Sequence, residues 1–392
     1  MSGLPSQKGM LVNVKVRNFL SLRDVDVSLG KVNVFIGPNA SGKSNFARAI
    51  QLIANHVRIG APSLQGYEGF KGIAYGFDPY IDVAITLELL LGNDRVRYEL
   101  MLTQNDYEER AYINNELALE SKGRQEYAKV LSKGKEGYQL VSVSKIPSHS
   151  LSERGFYKVF HKSILTDPPS EAAEGVIRLS LFLRSIAVHS FNPEAIRAYS
   201  DVRAQPVLDY RGGNLARVIL HLYLEERKTF SMVEDTLRAF IPEVEEVIPH
   251  LDGDRVELRL RVRGLSEPLR PANISDGTLR ILAFITALYS GTSLAVFEEP
   301  ENCIHPHLLE SLIDLIRKAP CQVVITTHSP YLLDHVKPEE VFVVEKVGTE
   351  TVIKRLTDMK ELKAVRKWLE EGGTLGEAWY SGLVGGVPRA KS

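Results

Sequence analysis

The 392-residue sequence predicts an α/β fold with an antiparallel β lobe and an inserted helical segment. An apolar strand at residues 32–36 runs into a glycine-rich loop and then into a helical pattern. Residues of roughly 70–160 form short alternating strands separated by turn pairs. The last third alternates strands and helices, as parallel sheets do. Hydrophobic residues at 44% and charged residues at 25% are typical of folded chains, which excludes disordered and fibrous classes.

The N-terminal lobe is predicted to span residues 1–165. Apolar residues alternate with polar ones at 12–16 and again at 25–29, which predicts two half-buried strands. The helix after the glycine loop is indicated by Phe46 and Ile50, which recur at helical spacing. A helical and strand insertion is predicted over residues 166–265 and a C-terminal lobe over residues 266–392. In these two parts helices are expected at 170–184, 213–240, after 276, at 307–318 and at 359–371, and strands at 256–262, 294–297, 323–326 and 341–344.

The charge balance and the apolar pattern restrict the partners and the compartment expected for the protein. Forty-eight Lys and Arg face forty-nine Asp and Glu, so any nucleic-acid surface must be local. No apolar run approaches the ~18 residues of a membrane span, and the N-terminus has no secretory apolar region. We therefore expect a cytoplasmic protein without a membrane partner. Cys303 and Cys321 form no CxxC pair, which argues against a disulfide framework or zinc site and predicts two buried thiols.

A phosphate-binding loop is the strongest local signal. The pattern GxxxxGK[ST] lies between a predicted strand and a predicted helix. It comprises Gly37, Pro38, Asn39, Ala40, Ser41, Gly42, Lys43 and Ser44, with Asn45 following. Glycines let backbone N–H groups point at a phosphate, and the helix N-terminus adds positive potential. Lys43 is expected on the β and γ phosphates and Ser44 on Mg²⁺. The alternative is a chance glycine-rich turn.

A second half of the site is predicted far downstream. Residues 294–297 form an apolar strand that ends in Glu298 and Glu299, a Walker B pattern, and most of the chain separates it from Lys43. Side chains on a strand alternate, so the two carboxylates should point in opposite directions. We assign Glu298 to Mg²⁺ and Glu299 to the general base that activates water. The alternative is a charged strand end followed by a turn.

Residues 274–280, Ile-Ser-Asp-Gly-Thr-Leu-Arg, open the helix that leads into this acid strand. Ser275 or Asp276 would be a good N-cap, and capping alone could explain these residues. A helix N-terminus with Ser275 and Gly277 is also an anion site. The position directly before the acid strand favours the functional interpretation.

Four motifs in order, GPNASGKS, ISDGTLR, VFEEPENCIHP and ITTHSP, resemble those of the ABC-type ATPases of the SMC, RecF and OLD group. The resemblance is greatest to short stand-alone members, described as AAA-type or RecF-like ATPases without a Toprim domain. It implies a P-loop ABC-type ATPase head that hydrolyses ATP with Mg²⁺. It also implies a homodimer that sandwiches ATP, in which Ser275, Asp276 and Gly277 complete the neighbour's pocket. His328 would be the switch histidine that senses the γ phosphate.

The sequence departs from the family at one catalytic position. The first acid of the strand is usually Asp, and here it is Glu298, longer by one methylene, which predicts slow turnover. The family's glutamine-bearing loop has no clear counterpart. His305 and His307 would be either a metal pair or, as we favour, part of the loop that faces the other protomer.

The resemblance leads to three function classes. The leading one is an ATP-switched dimer acting on DNA, in repair and maintenance or in anti-phage defence. Residues 120–162 hold nine Lys or Arg against four Glu, interleaved with aromatic residues, although a solvated sheet face would look similar. A strand carrying Arg259, Arg261 and Arg263 invites the same two interpretations. The second class regulates a separately encoded nuclease or toxin effector without binding DNA.

The third class, a transporter ATPase subunit, is disfavoured because the stretch from Ser44 to Ser275 is far longer than transporters have. An attached Toprim nuclease is not expected either. Too few residues follow Glu345, and they contain no DxD.

Overall fold

The computed structural model describes residues 9–60, 64, 66–123, 125, 127–134, 137–145, 147–151, 157–161 and 163–385. Its strands are β1 (Gly9–Phe19), β2 (Leu22–Ser28), β3 (Val32–Ile36), β4 (Val83–Leu91), β5 (Asp94–Leu102), β6 (Tyr107–Ile113), β7 (Glu116–Lys122), β8 (Tyr127–Gly134), β9 (Gly137–Ser144), β10 (Pro147–Leu151), β11 (Tyr157–His161), β12 (Ala187–His189), β13 (Ser200–Asp201), β14 (Val244–Asp252), β15 (Arg255–Val262), β16 (Leu294–Glu298), β17 (Gln322–Thr327), β18 (Val341–Val347) and β19 (Glu350–Arg355).

Its α-helices are α1 (Lys43–Ile59), α2 (Gly69–Ile73), α3 (Glu174–Arg184), α4 (Pro193–Arg197), α5 (Leu215–Glu225), α6 (Arg227–Phe240), α7 (Asp276–Tyr289), α8 (Leu309–Lys318), α9 (Pro330–Leu333), α10 (Leu362–Glu370) and α11 (Leu375–Tyr380). Short 3₁₀ helices cover Tyr75–Phe77, Ile164–Thr166, Pro271–Asn273, Pro306–Leu308, Pro338–Glu340 and Leu356–Asp358. No helix in these described ranges is both long and apolar enough to cross a membrane.

A six-stranded sheet in the order β12-β16-β17-β3-β18-β19 forms the centre of the molecule. All of its strands run parallel except β19, which pairs antiparallel with β18 at the edge. The carboxyl ends of β3, β16 and β17 therefore lie side by side, and that edge is where ligands bind in open α/β sheets. Strands distant in the sequence thus bring the glycine loop, the acids and the histidine together.

Alternation along the central strand β3 divides the interior into two cores. Val34 and Ile36 pack into one core with the helices α5 to α8. Phe35 points the other way, where its ring stacks on Phe46 of α1 at 4.6 Å and on Phe342 of β18 at 4.8 Å between centroids. The parallel sheet is thus covered on both faces, as its continuous apolar strands require.

The predicted antiparallel lobe is an eight-stranded sheet in the order β2-β1-β4-β5-β6-β7-β8-β9. Strand β4 alternates buried and less buried residues along its length, which is the pattern of a sheet with one face in the core. The buried face packs on α1 and α3 in the second core. The expected turn at Gly92 and Asn93 joins β4 to β5 in register, which confirms this hairpin.

The middle of the chain carries helices α3 to α6 and a three-stranded sheet in the order β13-β15-β14. Strand β12 from this same segment pairs with β16, so the segment contributes a strand to the central sheet itself. The α/β fold with an antiparallel lobe and inserted helices is confirmed. Strand β19 and helix α11 were not predicted, and the expected helix at 307–318 begins as a 3₁₀ turn at Pro306.

Candidate functional site

The glycine loop lies between β3 and α1, and its glycines are required by neighbours far away in sequence. A Cβ on Gly37 would lie 2.2 Å from the carbonyl oxygen of Val344. Gly42 has φ 105°, and a Cβ there would lie 1.9 Å from Oγ1 of Thr351. No side chain fits in that space, and a positive φ favours glycine. The loop therefore packs tightly against β18 and β19.

Lys43 curls back over the loop. Its Nζ donates to the carbonyl oxygens of Gly37 at 2.7 Å and Pro38 at 2.9 Å. Burial lowers the pKa of Lys43, while the carboxylates of Glu299 and Glu301 act in the opposite direction. The ammonium group is thus aimed at the loop interior, where the sequence places a phosphate.

Two further loop residues are fixed by hydrogen bonds to other elements. Asn45 donates through Nδ2 to the hydroxyl of Ser21 at 2.7 Å. The hydroxyl of Thr351 donates to the carbonyl oxygen of Ser41 at 2.9 Å, whereas the buried Oγ of Ser41 has no partner within the described structure. An unpaired buried hydroxyl in a phosphate loop is a polar atom that a bound anion would satisfy.

Strand β16 ends at Glu298, and the chain turns at Glu299, which has φ 48°. The backbone N–H of Glu299 still donates to the carbonyl oxygen of Thr326 at 2.8 Å. Because Glu299 has left the strand conformation, the expected strand alternation does not apply to it, and both acidic residues line the same cavity. The hydroxyl of Tyr210 donates to Oε2 of Glu298.

Glu299 is held by two side chains. Its Oε1 lies 2.8 Å from Nδ1 of His328, and its Oε2 accepts from Nδ2 of Asn302 at 2.9 Å. His328 directly follows β17 and Asn302 follows the acid strand, so neighbouring parallel strands supply both contacts. The structure thus brings together the two residues predicted as catalytic.

Glu301 is a third acid that the sequence argument did not use. Its side chain is buried, and its Oε1 accepts from the hydroxyl of Thr327. Burial raises the pKa of Glu301, partly offset by that hydrogen bond. The sequence could have identified Glu301, because it ends the motif EEPE and its partner Thr327 precedes His328 in ITTHS. This contact joins the two loops that carry Glu299 and His328.

A cavity of about 510 Å³ joins these parts. Its lining includes the predicted residues Asn39, Ala40, Ser41, Gly42, Lys43, Ser44, Asn45, Glu298 and Glu299. It also includes residues that sequence reasoning missed, namely Arg48, Ser190, Tyr210, Arg280, Asn302, Thr326 and Lys346. Among these lining residues four cationic side chains face two carboxylates, which suits a polyanion with a divalent cation. Arg48 follows Lys43 by little more than one helical turn and could have been found by spacing.

Ser44 and Glu298 lie in the same cavity and offer a hydroxyl and a carboxylate oxygen. Oxygen ligands from one or two side chains, completed by phosphates and water, are what Mg²⁺ usually takes. The residues present therefore fit this ion, although Glu298 now has the Tyr210 hydroxyl as its partner.

The segment 275–277 caps α7. Oγ of Ser275 accepts from the backbone N–H of Thr278 at 3.1 Å, and Asp276 forms an ion pair with Arg197 at 2.5 Å. A Cβ on Gly277 would lie 2.6 Å from the carbonyl oxygen of Cys303. None of the three predicted signature residues is among those lining the cavity of their own chain.

One expectation for the loop after the acid strand is wrong. Cys303 is exposed rather than buried, since its backbone has φ 65° and turns outward, whereas Cys321 is buried and burial raises its pKa to about 11. His305 and His307 are exposed, with their Nδ1 atoms 2.6 Å apart. The described ranges hold no group of three potential metal ligands, so the metal-pair alternative has no third ligand there.

The basic residues of these two stretches whose side chains the structure describes are paired or buried. Lys129 pairs with Glu120 at 3.3 Å, and Lys145 is buried with its Nζ donating to the carbonyl oxygen of Lys122. Each arginine of the second stretch pairs with a glutamate, Arg259 with Glu257, Arg261 with Glu246 and Arg263 with Glu245. Arg124, Lys135, Arg154, Phe156 and Lys162 lie outside the described residues.

Residues 32–334 match the family described as "AAA domain, putative AbiEii toxin, Type IV TA system". A 58-residue segment is 40% identical to the OLD nuclease of Thermus scotoductus, covering 15% of this chain and 10% of that relative. The match therefore spans only a tenth of the relative's length.

Two solved structures of SMC head domains share the fold. One is an SMC head bound to the C-winged helix domain of ScpA, with a TM-score of 0.55 at 12% identity, covering 91% of this chain and 99% of that chain. The other is an SMC head with an extended coiled coil bound to the C-terminal domain of ScpA from Pyrococcus furiosus, with a TM-score of 0.54 at 12% identity, covering 93% and 99%. The chain belongs to the AAA domain family that matches residues 32–334, and it shares the fold of SMC head domains.

Proposed function

We propose that the chain binds ATP with Mg²⁺ and hydrolyses it. The observation that carries the proposal is the placement of Glu299, fixed between His328 and Asn302 in the cavity that also contains the glycine loop and Lys43. A carboxylate held in this way can accept a proton from water as it attacks a γ phosphate. The cationic side chains around the cavity would stabilise the charge of the phosphates.

Each residue has a separate role in the proposed reaction. The N–H groups of residues 39–44 and the start of α1 would bind the phosphates, and Lys43 would leave its carbonyl partners to contact them. Ser44 and Glu298 would hold Mg²⁺, which neutralises phosphate charge when bound. His328 would orient Glu299 through the 2.8 Å contact and, as the switch histidine, would sense the γ phosphate.

ATP-dependent homodimerisation is the second part of the proposal. Ser275 and Asp276 are exposed at the start of α7 and do not line their own cavity, whereas Arg280 on the same helix does. An exposed helix N-terminus can bind a phosphate of nucleotide held by a second copy. Because Gly277 packs tightly on Cys303, a movement of α7 on dimerisation would also move the loop that follows the acids.

We propose DNA as the substrate on which the dimer acts, in repair and maintenance or in defence against foreign DNA. The support is the OLD nuclease segment, the family description and the basic residues of the antiparallel lobe. The alternative is regulation of a separately encoded nuclease or toxin effector. The paired state of Lys129 and of Arg259, Arg261 and Arg263 favours it, as does the ScpA partner of the SMC heads.

Phosphate release with and without DNA tests these statements together. Wild-type protein should release phosphate from ATP in a Mg²⁺-dependent manner, and Lys43→Ala should not. Absence of release by the wild type, under conditions where it is folded, would refute the ATPase proposal.

If DNA is the substrate, charge reversal of Lys129, Lys133 and Lys135 should weaken DNA binding and flatten its salt dependence by roughly one unit per lost phosphate contact. Lys363→Glu, a charge reversal at an exposed lysine of α10, is the control, and unchanged DNA binding in the lobe variant would favour the protein-partner alternative.

A further inference from the structure

Tyr210 is the one side chain from the middle segment that is bonded to an acid of the site. Its hydroxyl donates to Oε2 of Glu298, and its ring lines the cavity of the glycine loop. Burial raises the pKa of Tyr210 to about 12, and the bond to Glu298 adds to that effect. The phenol is therefore neutral near pH 7 and acts as a hydrogen-bond donor toward the carboxylate.

The backbone around Tyr210 is held rigidly by its own neighbours. Oδ1 of Asp209 accepts from the backbone N–H groups of Arg211 and Gly213, each at 2.9 Å. The backbone N–H of Asp209 in turn donates to Oδ1 of Asn214 at 2.9 Å. These bonds close a compact turn at the start of α5, so Tyr210 is presented by a fixed loop.

The central sheet sets the distance between this loop and Glu298. The carbonyl oxygen of Tyr210 accepts from the backbone N–H of Ser190 at 2.8 Å, directly after β12. Strand β12 pairs in parallel with β16, placing His189 opposite Phe297, and Glu298 is the next residue. Both ends of the bond between Tyr210 and Glu298 are thus anchored on adjacent strands.

Such a partner matters because Glu298 has a longer side chain than aspartate. The extra methylene adds a rotatable bond, so the carboxylate needs an external contact to occupy a single position. Hydrogen bonds from outer groups orient carboxylates that bind metals, and losing them typically costs about 10–100-fold in metal affinity. The hydroxyl of Tyr210 bonds to Oε2 of Glu298, so this bond does not engage Oε1.

We propose that Tyr210 is a positioning residue that holds the Glu298 carboxylate in place for Mg²⁺ in the nucleotide site. The proposal rests on the proposed function, since it assigns Glu298 to the metal. It accounts for glutamate at this position, because an aspartate on the same backbone would not reach the hydroxyl.

The test measures ADP binding by calorimetry over a range of Mg²⁺ concentrations and in EDTA, without turnover. Tyr210→Phe should lower the Mg²⁺ affinity of the ADP complex about tenfold, while ADP binding in EDTA stays unchanged. Tyr199→Phe, the same change at an exposed tyrosine, should alter neither quantity. If Tyr210→Phe leaves Mg²⁺ affinity unchanged, the positioning role is refuted.

The Glu298→Asp background separates a positioning role from a merely structural one. Because the shorter carboxylate cannot reach the hydroxyl, adding Tyr210→Phe should cause no further loss of Mg²⁺ affinity in that background. An equal loss in both backgrounds would show that Tyr210 acts elsewhere and would overturn the proposal. If the wild type binds no Mg²⁺–ADP at all, the proposed function fails, and this result differs from normal wild-type binding that Tyr210→Phe does not change.

Discussion

Nδ1 of His328 lies 2.8 Å from Oε1 of Glu299, although the two residues belong to separate motifs on neighbouring strands. Asn302 holds the other oxygen of the same carboxylate. Glu299 is thus fixed at both oxygens while remaining about one-third exposed toward the cavity, with a side-chain exposure of 34%. This combination of restraint and access is what a general base requires.

Replacing Glu299 should separate ATP binding from hydrolysis. Glu299→Gln keeps the shape and the hydrogen bond to Asn302 but cannot take a proton from water. We expect the phosphate release rate to fall about 10²–10⁴-fold, with ATP affinity within a few-fold of wild type. Glu310→Gln, an exposed position on α8, is the control and should release phosphate normally. Wild-type turnover in Glu299→Gln would remove Glu299 from the role of base.

Two glycines with positive φ differ in whether a side chain would meet a neighbour. Gly291 has φ 73° with open space around it, whereas Gly42 has φ 105° and a side chain of Thr351 in contact. Gly291→Ala should cost about 1–2 kcal/mol in the free energy of unfolding and leave nucleotide affinity unchanged. Gly42→Ala should cost more and weaken ATP binding, because the loop must move off β19. Equal effects of the two variants on ATP affinity, measured by calorimetry, would contradict the packing argument.

Blocking the start of α7 should prevent dimerisation without preventing ATP binding. Ser275→Arg places a bulky cation where the second copy is proposed to approach, so light scattering with ATP should show monomers. The experiment is best done in the Glu299→Gln background, where ATP persists. Thr374→Ala removes a comparable N-cap, that of α11, and as a control it should cost about 1 kcal/mol of stability and spare the dimer. A dimer of normal size in Ser275→Arg would count against the ATP sandwich.

The buried carboxylate of Glu109 should make the stability of the fold depend on pH in the acid range. Glu109 is fully buried, and its Oε2 accepts from Ser163 at 2.8 Å and Tyr98 at 3.0 Å and lies 3.2 Å from Nε2 of His56. Burial by itself would raise the pKa of Glu109, but the contacts with His56 and Ser163 outweigh it and lower that pKa.

The sign of this effect follows from linkage. A carboxyl whose pKa is lower in the folded state stabilises the fold above its unfolded pKa of about 4.3, and this contribution disappears as pH falls through the folded value. Glu109→Gln should therefore be less stable than wild type by roughly 1–3 kcal/mol at pH 7. The difference should shrink below about pH 4 in denaturant titrations. A difference that stays constant down to acid pH would show that shape alone explains the loss.

Local patterns identified the parts of the site that are continuous in the chain. For the glycine loop, the acid strand and the segment 275–277, a few adjacent residues predict the local backbone structure. The structure has the predicted elements there, namely β3, β16 and α7. Strand alternation was misleading at Glu299, because a turn with φ 48° replaces the strand at that residue. The edge strand β19 carries no strong apolar run and was missed, although Thr351 on it is what requires glycine at position 42.

The fold class and the chemistry of the loop and the acid strand could be predicted from the sequence, because hydrophobic periodicity and backbone requirements are local properties. The residues that complete the cavity could not, because they meet only in the folded chain. Tyr210, Arg280 and Lys346 come from three distant elements, and no spacing rule links them to Lys43. Their meeting depends on the order of strands in the central sheet, in which β3 lies between β17 and β18 and β12 lies beside β16. Strand order depends on the packing of the whole chain, so no single motif predicts it.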